Sequence, residues 1–361
     1  MDEYEMDKIT IQVANATVKK YTYENVKRTI KDIIEFNVPY KEKMELLRTF
    51  IANFLIEKYN IHTIDDEMIL YNAKTGLYEE GKDFIISKIQ YIYHLSFSEL
   101  EGKLTTTTVN EIINLIKRKT YKKREEIENR DPNLIPFENG IYDIEKKVFF
   151  DFSPEYVFFS KINTKYDPTA TECPTFIRFL EKITGNDPRK INLIQDMMGY
   201  CLWRTNKLEK IFFLVGAGAN GKSTLLKILT EILGYQNVSY RTLHEIIEDK
   251  FALVDLKDKF ANISMEIKSS DLKYFDRIKS LTSGDLLTAN RKFKESISFA
   301  NYSKLIFATN KLPRINEDTD AVYRRIVVIP FEVQIPIEEQ DPDLFEKLKK
   351  EKSAILNYML G

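Results

Sequence analysis

Apolar positions divide the chain into segments with two different periodicities. From Tyr21 to Tyr59 they recur every three or four residues, which predicts two helices separated at Pro39. The same spacing predicts helices near 84–93, 108–121, 176–183 and 191–203. Residues 66–82 and 134–158 alternate instead and contain Asn/Gly turns, which predicts short antiparallel strands. We therefore expect a helical N-terminal region with a short hairpin over 1–130 and a small mixed α/β part over 131–204.

The pattern changes after Lys210. Short apolar runs at 211–215, 262–267, 303–309 and 325–329 predict strands, and a helix is predicted over 222–233, where Gly234 ends it. Apolar strands that alternate with helices are typical of a mostly parallel sheet covered on both faces. We predict an α/β domain over 205–335, with a boundary near 205, and a C-terminal helix (Leu344–Leu360) within 336–361.

Composition changes this picture little. The chain has 361 residues and a formal net charge of −1, so any binding of nucleic acid must come from local basic patches. Two cysteines and three histidines show no zinc-site spacing and no disulfide framework, which favours a reducing compartment. The first residues, MDEYEMDK, lack the apolar stretch of a signal peptide, and no segment is apolar for long enough to cross a bilayer. We expect a cytoplasmic protein with no membrane partner.

One motif carries clear chemistry. The segment IFFLVGAGANGKSTLLKIL matches the phosphate-binding pattern G-x-x-x-x-G-K-[ST], and the predicted strand before it and helix after it make the match specific. Glycines let backbone N–H groups surround phosphates, Lys222 is expected to contact the β- and γ-phosphates, and Ser223 offers a hydroxyl to Mg²⁺. ATP and Mg²⁺ are therefore the predicted ligands. The predicted phosphate-binding residues are Gly216, Ala217, Gly218, Ala219, Asn220, Gly221, Lys222, Ser223 and Thr224.

Such a loop needs an acidic residue at the end of a neighbouring strand. NISMEI (262–267) places Glu266 after apolar residues, where it would hold Mg²⁺ and orient the attacking water. The alternative is an exposed glutamate at a strand end. Asp255 and Asp258 are rival metal ligands, but both lie in the polar stretch before this strand.

Several motifs in order resemble a known family. Residues 135–335 resemble the helicase portion of plasmid, phage and archaeal-virus primase–helicases. The motifs that carry the resemblance are GAGANGKST, IKSLTSGDLLTANRKFKESISFANYSKLIFATNKLP and DAVYRRIVVIPF. Those are superfamily 3 members of the AAA+ class. The resemblance implies an AAA+ P-loop domain in which Lys222 and Ser223 belong to Walker A and Glu266 is Walker B. Met265 stands where some members carry a second acid.

The resemblance also implies two further catalytic positions. Asn310, in FATN, would be the polar sensor for the γ-phosphate or the attacking water. Arg324 or Arg325 would be the arginine finger that reaches the ATP of the next subunit. Asn310 as a cap of the loop before Pro313, and one of the arginines as a solvated charge, remain the alternatives.

A basic hairpin is predicted between Glu266 and Asn310. In LLTANRKFKESISF, residues 286–290 and 296–299 alternate as strands, and the tip is 291–295. By resemblance this hairpin projects into the channel of a ring, where Arg291, Lys292 and Lys294 would follow DNA phosphates and Phe293 would stack on a base. A solvated basic turn is the alternative. The basic run KRKTYKKR (117–124) is either a solvated helix end or a guide for a DNA strand.

These features lead to one functional prediction with an alternative. The first is an ATP-dependent DNA helicase or translocase of plasmid or viral replication, in the host cytoplasm. It would form a hexameric ring with ATP at inter-subunit sites, move 3′→5′ by resemblance, and bind single-stranded and forked DNA with a primase or other replication partner. The alternative is an ATP-switched DNA-binding module for initiation or assembly. A small-molecule P-loop kinase is disfavoured because it does not explain the hairpin. Residues 1–130 contain no recognisable primase carboxylates, so primase activity is not assigned.

Overall fold

The computed structural model describes residues 22–96, 104–265, 275–291, 294–312 and 320–361. The chain divides into two compact units. The first comprises the described residues up to Asn129 together with Ser153–Phe159, and the second comprises Arg130–Phe152 and the described residues from Ser160 to Gly361. No helix in the described ranges is long and apolar enough to cross a membrane.

The first unit is mainly helical, as predicted. Its core contains Ile30, Phe54, Ile89 and Ile112, all with 0% exposure, from four different helices. Its sheet has three antiparallel strands, because His62–Ile64 pairs with the first strand of the predicted hairpin. The elements are α1 (Tyr23–Glu35), α2 (Tyr40–Tyr59), β1 (His62–Ile64), β2 (Glu67–Asn72), β3 (Leu77–Glu80), α3 (Lys82–Ser96), α4 (Thr106–Thr120) and α5 (Arg124–Ile127).

The second unit begins with an antiparallel sheet and two helices. The sheet has the order β4–β5–β6, where β4 is Leu134–Phe137, β5 is Gly140–Asp143 and β6 is Val148–Phe150. Helices α6 (Pro174–Thr184) and α7 (Pro188–Leu202) follow. Each has proline in its first turn, and Gly185 ends α6 with φ +65°.

A five-stranded parallel sheet forms the centre of this unit. Its strand order is β13–β7–β12–β9–β8, so the strand before the phosphate-binding motif is flanked on both sides. The mostly parallel sheet predicted from the apolar runs is confirmed. The elements are β7 (Ile211–Val215), α8 (Lys222–Leu233), β8 (Val238–Ser239), α9 (Leu243–Glu248), β9 (Ala261–Ser264), α10 (Phe275–Thr282), β10 (Leu286–Arg291), β11 (Lys294–Ala300), β12 (Lys304–Thr309), α11 (Asp320–Tyr323), β13 (Ile326–Pro330), α12 (Leu344–Lys350) and α13 (Lys352–Leu360).

One hydrophobic core joins the helices before residue 205 to this sheet. Phe176 and Met198 belong to the same buried cluster as Leu214 and Ile306. The segment predicted as a pre-helicase part (131–204) therefore packs with the sheet rather than apart from it. A domain boundary near residue 205 stays a prediction.

The C-terminal helix predicted over Leu344–Leu360 is two helices. The chain leaves helical geometry at Glu351, which has φ −94° and ψ 6°. The Glu351 carboxylate accepts hydrogen bonds from the backbone N–H groups of Thr175 and Phe176, each at 3.0 Å. The side chain of Glu351 thus caps the first turn of α6, a contact between residues distant in sequence that helical periodicity does not report.

Candidate functional site

The loop between β7 and α8 depends on glycine at two positions. A Cβ on Gly216 would lie 2.2 Å from the carbonyl oxygen of Phe331, and one on Gly221 would lie 2.4 Å from Cγ2 of Ile183. Gly221 also has φ +83°, in the left-handed region that favours glycine. The close packing holds the loop against Phe331 and Ile183. Because α8 begins at Lys222, its first N–H groups lie at the end of this loop.

Lys222 begins α8 and is 8% exposed. Its Nζ donates to the carbonyl oxygen of Gly216 at 2.7 Å, to that of Ala217 at 3.1 Å and to Oδ1 of Asn220 at 2.9 Å. Burial lowers the pKa of the Lys222 ammonium group. Its partners are neutral oxygens, so phosphate oxygens entering the loop would offer this cation a stronger interaction.

Asn220 connects the loop to the strand on the far side of β7. Its side chain is 3% exposed, and Nδ2 donates to the carbonyl oxygens of Phe331 (3.2 Å) and Ala217. The N–H of Ile335 donates to the carbonyl oxygen of Ala219 at 2.7 Å. The segment after β13 therefore holds the loop in shape.

A cavity of about 1240 Å³ opens at this loop. Residues 218–224 line it, including the exposed Ser223 and partly buried Thr224. Its volume suffices for a nucleotide, whose sites are typically about 300–1,000 Å³. A nucleoside triphosphate with Mg²⁺ fits this lining, which offers the glycine-containing loop, the Lys222 ammonium group and the Ser223 hydroxyl. Among the described residues, no group of three or more His, Cys, Asp or Glu side chains could hold a metal ion.

The ends of neighbouring strands reach the same cavity. Asn310 follows β12, which pairs with β7 up to Thr309 opposite Val215, and its exposed side chain lines the cavity. The N–H of Gly216 donates to the carbonyl oxygen of Thr309 at 3.1 Å, so this strand end is bonded to the loop. The geometry brings the predicted sensor beside the predicted phosphate site.

Glu266 lies outside the described residues, but the residue before it is placed. Met265 follows β9, is 45% exposed and lines the cavity. The rival Asp255 has another partner, since its Oδ2 accepts from Nε of Arg241 at 2.6 Å. The Glu266 prediction therefore stays untested, while the ion pair argues against Asp255 as the metal ligand.

The two arginines lie at the other end of the sheet. Ile211, at the start of β7, donates its N–H to the carbonyl oxygen of Arg325 at 2.9 Å. Arg325 is 5% exposed and lies 2.7 Å from the Glu209 carboxylate, whereas the side chain of Arg324 is 63% exposed and 3.5 Å from the same group. At about 3.3 Å per residue, the five residues of β7 separate this pair from the loop by about 16 Å.

The basic hairpin is present in part. β10 and β11 pair antiparallel, with Arg291 opposite Lys294. Leu287 and Phe299 are buried beneath it, and Leu286 is 67% exposed. Lys292 and Phe293 lie outside the described residues, and for Lys294 only the backbone is described.

The basic run at 117–124 is partly neutralised. Lys117 lies 2.7 Å from the Asp66 carboxylate, and Nε of Arg124 lies 2.7 Å from that of Glu128. Tyr121 is 63% exposed. These ion pairs favour the solvated helix end over a guide for DNA.

A family model described as D5 N terminal like matches residues 52–185, and one described as a family of unknown function (DUF5906) matches residues 214–325. The putative helicase L207/L206 of Acanthamoeba polyphaga mimivirus is 30% identical over 336 residues, which are 88% of this chain and 34% of that protein. Primase D5 of Fowlpox virus (strain NVSL) is 25% identical over 225 residues, 55% of this chain and 27% of that protein.

The fold has a solved counterpart. The A form apo structure of the NrS-1 C terminal region matches with a TM-score of 0.54 at 15% identity, covering 86% of this chain and 68% of that one. The chain resembles proteins of the primase–helicase type in sequence, and it shares the fold of the NrS-1 C terminal region. That part of the predicted resemblance is confirmed. The chain spans only about a third of the mimivirus protein and about a quarter of the Fowlpox protein.

One wall of the cavity was not predicted from the sequence. Its α6 lining consists of Thr175, Arg178, Phe179 and Lys182. The apolar spacing of α6 indicates that one face of the helix is buried, but it does not identify the segment that covers this face. No motif marks these residues, so only the packing of α6 against Gly221 reveals them.

Proposed function

We propose that this chain hydrolyses ATP at the loop formed by residues 216–224 and couples hydrolysis to movement along DNA, as a superfamily 3 helicase of the AAA+ class. The observation that carries the proposal is the convergence of three strand ends on one cavity: the P-loop after β7, Asn310 after β12 and Met265 after β9. Parallel neighbouring strands bring their carboxyl ends to one edge, where α/β proteins bind ligands.

Each residue has a defined task in this proposal. Backbone N–H groups of the loop and the Lys222 ammonium group bind the β- and γ-phosphates, and the Ser223 hydroxyl and Glu266 hold Mg²⁺. When bound, Mg²⁺ neutralises charge on the phosphate oxygens. The Asn310 amide orients the γ-phosphate or the attacking water. The apolar side chains of Phe179, Ile335 and Leu344 also line the cavity, where they would shelter a base from water.

The position of the arginine pair supports an assembly with inter-subunit sites. About 16 Å of sheet lies between the arginines and the loop of the same chain, which is more than an arginine side chain spans. An arginine at this position that acts on ATP would therefore have to act on the ATP of a neighbouring subunit. A hexameric ring, with the β10–β11 hairpin facing DNA in its channel, meets this requirement and belongs to the proposal.

The test is ATP hydrolysis by the full chain with and without single-stranded DNA, with Lys222→Ala as the blank. We expect hydrolysis that DNA stimulates and that Lys222→Ala abolishes without changing the circular dichroism spectrum, because the variant removes a phosphate-binding cation and little packing. A forked-duplex assay then measures unwinding. Turnover retained by Lys222→Ala would refute the site. Hydrolysis indifferent to DNA would favour the ATP-switched initiation or assembly module, the alternative that needs little unwinding.

A further inference from the structure

The cavity at the P-loop has a second, basic wall. Arg178 and Phe179 lie three and four residues after Thr175, and Lys182 lies four and three residues after them, so the four residues share one face of α6. All four line the cavity. Five basic and two acidic side chains line the cavity among the described residues. The cavity is therefore suited to an anion with several negative charges.

Helix α6 is fixed relative to the P-loop. The Glu351 carboxylate caps its first turn through Thr175 and Phe176. Near its other end, Ile183 and Phe179 pack so closely on Gly221 that a Cβ there would lie 2.4 and 3.2 Å from them. Arg178 therefore extends from a backbone held at both ends beside the loop.

The basic side chains that line the cavity differ in their partners. Lys182 donates to the carbonyl oxygen of Glu339 at 3.1 Å and lies 3.0 Å from its carboxylate. Lys347 pairs with Asp341 at 2.5 Å. Arg178 is exposed to the cavity, and the structure gives its guanidinium group no hydrogen bond or ion pair with another described residue. A guanidinium group presents a planar set of donors that matches phosphate oxygens.

We propose that Arg178 binds the phosphate groups of the nucleotide in its own subunit's cavity, as a phosphate-binding residue supplied by α6 from outside the P-loop sheet. The proposal rests on the proposed function, because it takes the cavity as a nucleotide site. Under this proposal α6 contacts the nucleotide directly. Nucleotide binding would then link the P-loop to α6 and, through Glu351, to the C-terminal segment.

The experiment is titration of the full chain with fluorescent ATP, ADP and adenosine analogues, for wild type, Arg178→Ala, Arg178→Lys and the control Lys182→Ala. We expect Arg178→Ala to weaken ATP binding about 10- to 100-fold, as loss of charge-assisted hydrogen bonds does. The loss is expected to be smaller for ADP and absent for adenosine. Arg178→Lys should recover part of the affinity. Lys182→Ala, on the same wall but already paired, should change the ATP affinity less than about threefold.

Two outcomes would overturn the proposal. One is an ATP affinity in Arg178→Ala equal to that of wild type. The other is an equal loss for all three ligands, which would make Arg178 part of the wall and not a phosphate contact. Lys222→Ala separates this failure from that of the proposed function, since ATP binding unaffected by Lys222→Ala would remove the nucleotide site itself.

Discussion

Gly221 combines two constraints in one residue, a positive φ of +83° and a Cβ position 2.4 Å from Ile183. We expect Gly221→Ala to lower the free energy of unfolding by about 1–3 kcal/mol, because the backbone strain and the displaced Ile183 both favour the unfolded state. Thermal unfolding of the variant and of wild type measures this loss of stability. Gly218→Ala is the matched control, since a Cβ there meets nothing within 4 Å and its φ is not positive. Equal destabilisation by both variants would contradict this account.

Lys304 is a charged residue in a fully buried position at the start of β12. Its Nζ donates to the carbonyl oxygens of Tyr302 (2.7 Å) and Trp203 and lies 4.6 Å from the centre of the Tyr200 ring. Burial lowers the pKa of this ammonium group to about 7. The usual value is 10.5, so the folded protein releases a proton that the unfolded chain keeps between these two pH values.

This difference predicts a pH dependence of stability. Below pH 7 both states carry the proton and the cost of burying the charge is complete. As the pH rises above 7, that cost declines and the free energy of unfolding increases. We expect wild type to gain stability relative to Lys304→Met between pH 7 and 8.5 in urea unfolding. The comparison between the two proteins cancels the other titrating groups. A stability difference that does not change with pH would contradict the lowered pKa.

At the scale of elements, the β10–β11 hairpin has one buried and one exposed face. Leu287, Ala289 and Phe299 fix it to the unit, while its tip carries the predicted DNA contacts. We expect Lys292→Ala and Lys294→Ala to weaken DNA-stimulated hydrolysis more than basal hydrolysis, because loss of a phosphate contact leaves the ATP site intact. Hydrolysis rates over a DNA titration at two salt concentrations measure this. Thr288→Ala, exposed on the strand away from the tip, is the control. Equal losses of basal and stimulated rates would argue against a channel hairpin.

Most elements follow from local patterns, and the exceptions have identifiable causes. The strand Ile211–Val215 and the helix Lys222–Leu233 have the predicted bounds, because an apolar run, glycines and Gly234 act within a few residues. β8, of two residues, is too short for any periodicity to reveal. The break at Glu351 was missed because it coincides with a contact to α6 that is distant in sequence: Phe176, whose N–H donates to the Glu351 carboxylate, lies 175 residues away.

At the scale of the whole molecule, the arginine pair lies at the end of the sheet away from the loop, so the proposed hydrolysis would depend on an assembly of subunits. Arg324 is the exposed member, while Arg325 is buried against Glu209. We expect Arg324→Ala to lower the hydrolysis rate by about 10³-fold or more if it is the finger. Mixed with wild type, it should reduce activity below simple dilution, because one subunit supplies the arginine to the next.

Arg325→Ala is the comparison for this prediction. It would leave the Glu209 carboxylate without its 2.7 Å partner, so we expect a lower unfolding temperature rather than a specific loss of hydrolysis. Mixtures of wild type and Arg324→Ala that follow simple dilution would contradict action between subunits.

The sequence by itself determined the glycine-containing loop that matches the phosphate-binding pattern, its flanking strand and helix, and the order of the motifs that resemble primase–helicases. Those features depend on residues that are close together along the chain, where glycine placement and apolar spacing act directly on the backbone. Only the tertiary structure decided that Arg325 is buried, that Asp255 is paired, and that Arg178 faces the P-loop. Each of these depends on which distant segments pack together, and neighbouring residues do not encode that.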